Sequence, residues 1–139
     1  MKGLLSAALL LSLFSSQSYA LTSQEFYDKC NNLYQSPGKE TPQDAVNRAL
    51  NAGSCSGFVG GMINGFNLVG NMLGQKGAVK RNFVCLPAGK QSQELLDEVI
   101  AYIKENPEKA SEPVQISVYN TFVLGYPCEE FANKPATQP

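Results

Sequence analysis

An all-α fold, a small single-domain bundle of about four helices stapled by two disulfides, is what this 139-residue chain predicts. Three observations point there. Apolar residues recur at three- and four-residue spacing in one segment after another. Helix start and stop residues bracket those segments. Four cysteines follow a leader of the kind that directs export, into compartments where disulfides persist.

Residues 1–20 form that leader. Lys2 supplies a positive start, Leu4 to Phe14 a short apolar run, and Ser18-Tyr19-Ala20 a small-x-small cleavage site. The run is shorter than the roughly 20 residues that span a bilayer. No Cys follows the cleavage point, which argues against a lipid anchor. The expectation is a soluble exported chain starting at Leu21, with its domain over residues 21–131 and a flexible tail over 132–139. That leaves 119 of the 139 residues, enough for one core and small enough to gain from covalent staples.

Thr22-Ser23-Gln24-Glu25 fits a capping box, with Thr22 as N-cap. Phe26, Cys30, Leu33 and Tyr34 follow at helical spacing, and Ser36-Pro37-Gly38 is a stop. Thr41-Pro42-Gln43-Asp44 starts a second helix, with Pro at its first position and an acid in its first turn. Val46, Ala49 and Leu50 continue one face. Asn51-Ala52-Gly53 is a kink or break signal.

The segment Cys55–Gly74 predicts a buried central helix. Phe58, Met62, Phe66, Val69 and Leu73 share one stripe, while Gly57, Gly61 and Gly65 share another. Each glycine costs a helix about 1 kcal/mol relative to Ala. Six of them in this segment imply recovery through tertiary contact along the glycine face, either inside the monomer or in a homodimer. Asn64, Asn67 and Asn71 argue against a membrane span, and the absence of a following Lys-Ser/Thr argues against a phosphate loop.

Residues 74–89 read as a loop. The next helix carries Leu96, Val99, Ile100 and Ile103 inward, with Glu94, Asp97, Glu98 and Lys104 outward, and ends at Asn106-Pro107. Pro113 opens a fourth helix with Val118, Tyr119, Phe122, Val123 and Tyr126 on one broad face, although the β-branched run 114–123 also suits a strand. Pro127 stops it.

Cys30, Cys55, Cys85 and Cys128 allow three pairings. Cys30 and Cys55 sit on consecutive helices joined by a short turn. An antiparallel hairpin about Pro107 returns Cys128 to Cys85. The preferred pairing is therefore Cys30–Cys55 and Cys85–Cys128. A four-thiolate zinc site is disfavoured, since the chain has no CxxC pair.

The chain has no His, which excludes Ser-His-Asp and Cys-His catalysis and His-ligated zinc. The adjacent carboxylates Asp97/Glu98 and Glu129/Glu130 make poor acid–base partners. Without Lys2, Lys and Arg number ten against 12 Asp and Glu, a net charge of −2. That balance suits no nucleic-acid partner. Neither a catalytic centre nor a cofactor or metal site is expected.

The order Cys30, Cys55-Ser56-Gly57-Phe58-Val59-Gly60-Gly61, Cys85-Leu86-Pro87, Gln93, Val99-Ile100-Ala101-Tyr102-Ile103, Asn106-Pro107-Glu108 and Tyr126-Pro127-Cys128 resembles the Rap/Tai family. Those are periplasmic immunity proteins that neutralise peptidoglycan amidase toxins of type VI secretion systems. The resemblance covers about residues 25–128. Tyr126 stands where Phe is more usual, and the glycine run is heavier. The resemblance implies a helical fold, no catalysis, a periplasmic location, frequent dimers and a cognate amidase effector as partner. An inhibitor of a cleft needs a protruding element fixed before binding. Loop 75–84 is the candidate, with Lys76, Lys80, Arg81 and Asn82 as polar contacts and Phe83 as an aromatic anchor. A competing reading is a periplasmic stress chaperone or holdase, which would expose apolar surface on acidification.

Overall fold

The computed structural model describes residues 20–31, 33–34, 38–75 and 82–128. The expected signal peptide up to residue 19, the tail 132–139, and Lys76, Lys80 and Arg81 lie outside the described residues. The described residues form four α-helices: α1 (Ser23–Cys30), α2 (Pro42–Gln75), α3 (Ser92–Glu105) and α4 (Val114–Tyr119). A 3-10 turn, Pro107–Lys109, links α3 to α4, and a π turn, Asn120–Leu124, extends α4. Two isolated β-bridges are present among these residues, Thr22 to Pro113 and Val84 to Pro127. The alternative of a strand over 114–123 is thereby set aside.

Helix α1 begins as its sequence predicts. Glu25 N–H donates to the Thr22 hydroxyl at 3.2 Å, and Thr22 N–H donates back to the Glu25 carboxylate at 2.9 Å. The two hydrogen bonds from Thr22, the backbone one first, hold the Glu25 carboxyl below its ordinary range. The entry to α1 is also stitched to the α3–α4 link: Ser23 N–H donates to Glu112 O and Val114 N–H to Leu21 O, each at 2.9 Å. The Ser23 and Ser117 hydroxyls bond each other at 2.8 Å in the interior. The helix stops at Cys30, earlier than the Ser36-Pro37-Gly38 signal. Asn31 is extended, and Leu33 O instead accepts from Arg48, which is paired with Glu40.

Helix α2 departs most from expectation. It runs unbroken for 34 residues, about 50 Å at 1.5 Å per residue. Asn51-Ala52-Gly53 neither kinks nor ends it, because Ala52, Cys55, Val59 and Ile63 carry one buried stripe straight through. Nor is it buried on all sides. Phe58, Met62 and Phe66 pack against the core, but Val69 and Leu73 are exposed. Among the described residues the glycine face meets no neighbouring element: a Cβ built on Gly57, Gly61 or Gly65 would have nothing within 4 Å. Packing of that face against another described element of the monomer is ruled out. Val46 and Leu50 likewise point outward, since the helix presents one side to α1, α3 and α4.

Helix α3 buries Leu95, Leu96, Val99 and Ile103, close to the predicted stripe. Helix α4 starts at Val114, with Pro113 as its cap rather than inside its first turn. Val114, Val118 and Phe122 are fully enclosed. Helices α3 and α4 run antiparallel: Glu98 meets Tyr126 and Tyr102 meets Asn120. The cysteines are joined as Cys30–Cys55 and Cys85–Cys128, the preferred pairing. Each cross-link contributes about 2–4 kcal/mol, chiefly by restricting the unfolded chain.

Candidate functional site

The element expected to meet a partner leaves α2 after Gln75 and re-enters the described structure at Asn82. Its returning end is held from three sides. On α2, the Asn67 amide meets both polar groups of one residue: Val84 N–H donates to Oδ1 at 2.9 Å, and Nδ2 donates to Val84 O at 3.1 Å. On the other side Val84 bridges Pro127, and Cys85 N–H donates to Tyr126 O at 2.9 Å. The Cys85–Cys128 disulfide closes the third side.

Tyr126 is itself fixed. Gly89, at φ +86°, provides the left-handed turn that brings Lys90 back over the Tyr126 ring, 4.3 Å from its centroid. The Lys90 ammonium donates to the Tyr126 hydroxyl and pairs with Glu98, while that hydroxyl donates to Glu98 at 3.1 Å. Glu98 first, then Tyr126, push the Lys90 ammonium above its ordinary range. A second cluster braces the far end of the hairpin. Lys109 and Asn120 both donate to the Tyr102 hydroxyl, at 2.7 and 2.9 Å.

Of the expected contact residues, two fall within the described structure. Phe83 packs, half-buried, against the core cluster, so its ring is in part committed to the fold. Asn82 is half-buried, and its Oδ1 has no hydrogen-bond partner among the described residues. The residues that anchor the segment, Asn67, Lys90, Glu98 and Tyr126, were not singled out for this role by sequence. Asn67 carried a signal: it is a polar residue one turn from Ile63 on the inward side of an apolar helix. Lys90 and Glu98 carried none, since each reads as an ordinary surface charge.

A groove of about 600 Å³ opens between α1 and α3, lined by Tyr27, Leu33, Tyr34, Asp97, Ile100 and Lys104 among others. Its lining brings together no pair suited to acid–base or nucleophilic work.

A family model for Rap1a immunity proteins matches residues 22–128. This chain belongs to that family. The match begins at the N-cap of α1 and ends at Cys128, so both disulfides of this Rap1a-family protein, and the whole anchor of segment 75–84, fall within it. Membership makes it an immunity protein directed at a secreted toxin. No curated protein and no solved structure matches the chain.

Proposed function

We propose that this protein protects a cell by binding and blocking a peptidoglycan amidase delivered by type VI secretion. In this reading it acts in the periplasm after cleavage behind Ala20, and it acts by occlusion rather than by catalysis. Segment 75–84 is the contact element, with Lys76, Lys80, Arg81 and Asn82 making polar contacts and Phe83 contributing apolar area. The supporting observation is the returning end of that segment, pinned by Asn67, Tyr126 and Cys128 within a chain of the Rap1a family. Fixing that end before binding reduces the entropy lost on binding.

The outer face of α2 supports a homodimer as part of the same reading. Val46, Leu50, Leu68 and Met72 are all more than half exposed, with the bare glycines between them. Such a face lets two helices approach closely. The same exposed residues also suit a holdase, which would suppress aggregation of unrelated clients.

Co-expression tests the proposal. A periplasm-directed amidase toxin is produced with and without this protein, and lysis is followed. Rescue that depends on residues 1–20, and fails on reversing Lys80 and Arg81 to Glu, is the expected result. Failure to rescue against a panel of such amidases, together with suppression of client aggregation, would favour the holdase.

A further inference from the structure

The two disulfides differ in their surroundings. Cys30 and Cys55 are 2% and 3% exposed and belong to the core cluster. A recess of about 160 Å³ between Leu21, Lys29, Ser54 and Phe58 has both cysteines in its lining, yet only this small fraction of either residue is exposed. In the other pair Cys128 is buried, whereas Cys85 is exposed. Thiol–disulfide exchange requires a thiolate to reach one sulfur in line with the bond, so access orders the two reactions. Unlike Cys30 and Cys55, neither cysteine of this pair belongs to the core cluster. Among the described residues, the backbone links between 82–85 and 126–128 besides the disulfide are one bridge, whose Pro127 partner has no N–H, and one hydrogen bond from Cys85 to Tyr126.

We propose that Cys85–Cys128 is a redox latch, opened by a dithiol while Cys30–Cys55 stays closed, whose opening loosens the returning end of segment 75–84. The reductant is a small dithiol or a C-x-x-C oxidoreductase. Its thiolate attacks Cys85 Sγ. The bond to Cys128 breaks, and Cys128 leaves as a thiolate that takes up a proton. The second thiol of the reductant then attacks the mixed disulfide and releases Cys85. The reductant ends as a disulfide, and two electrons and two protons have passed to the protein. The consequence for toxin binding rests on segment 75–84 being the contact element; the latch itself does not.

The test uses the oxidised protein in native buffer. Dithiothreitol is added, samples are quenched with iodoacetamide over time, and labelled peptides are quantified by mass spectrometry. Cys85 and Cys128 are expected to label at least about tenfold faster than Cys30 and Cys55, with helical circular dichroism retained. Labelling of all four at one rate, or of Cys30 and Cys55 first, overturns the latch. Hydrogen exchange then reads the consequence in the opened protein and in a Cys85→Ser/Cys128→Ser variant. The amides of Val84 and Cys85 should exchange about tenfold faster, with the middle of α2 unchanged. Unchanged exchange at Val84 and Cys85 overturns the release. Should the double variant lose its helices, the dithiol-opened protein alone decides. None of these measurements requires the toxin, so failure of the latch and failure of the immunity reading are separate results.

Discussion

One amide side chain, that of Asn67, does for Val84 what a neighbouring strand would do, satisfying its N–H and its C=O together. Val84 is buried, so neither group can turn to water when the amide is removed. Asn67→Ala should therefore cost about 1–3 kcal/mol, measured by urea denaturation, and the Val84 amide should lose its exchange protection. Asn67→Asp keeps the acceptor but replaces the donor, and should recover only the N–H contact. Gly125 is constrained in a different way. A Cβ there would lie 2.2 Å from Thr121 O, inside the π turn. Gly125→Ala must push that carbonyl away, and is expected to destabilise by about 1–3 kcal/mol, with a lower urea midpoint. An unchanged midpoint would mean that the turn simply rewinds as α-helix.

At the scale of elements, local signals proved legible where their meaning is local. Thr22 with Glu25, and Thr41 with Asp44, cap α1 and α2 as their spacing predicts, because a cap depends on residues three apart and on little else. The stripe of α3 was legible for the same reason. What Gly57, Gly61 and Gly65 do was not. Their spacing reports a face without side chains, and nothing in it says whether another backbone fills the space. Likewise, Asn67 and Val84 are 17 residues apart, and Lys90 and Tyr126 are 36 apart. Those partnerships exist only once the hairpin and the long helix are placed. The glycine face carries its own prediction. In an isolated chain, Gly57→Ala/Gly61→Ala/Gly65→Ala should raise stability by up to about 1 kcal/mol per site, since Ala is the better helix former and meets no obstacle. If two copies pack along this face, the same variant should dimerise more weakly by analytical ultracentrifugation. A rise in thermal midpoint with dimerisation unaffected would remove the face as a dimer contact.

For the whole molecule, charge placement sets how stability responds to pH. Lys90, held by Glu98 and Tyr126, and Lys109, held by Tyr102, are raised above the ordinary 10.5. Their contribution is complete below that value and is lost as pH rises through the raised one. Glu25, held by Thr22, and Glu40, held by Arg48, are lowered from 4.5. Theirs is present above 4.5 and is lost as pH falls through the lowered value. With no His in the sequence, no imidazole titrates between these limits. The expected thermal midpoint is therefore level from about pH 5 to about pH 10 and falls on either side. Lys90→Met should flatten the alkaline fall, and Glu25→Gln with Glu40→Gln the acidic one. Glu25 is exposed and Glu40 half-buried, so added salt should shrink the part of Glu25 more than that of Glu40. The same profile separates the two functional readings. An acid-triggered holdase needs a loss of structure with new apolar exposure on mild acidification, seen as dye binding. An immunity protein needs its contact segment held across the whole plateau. Dye binding that appears at about pH 6 would contradict the level profile and count against immunity as the resting role. Dye binding confined to the acidic fall would leave the anchor of residues 82–85 intact across the plateau.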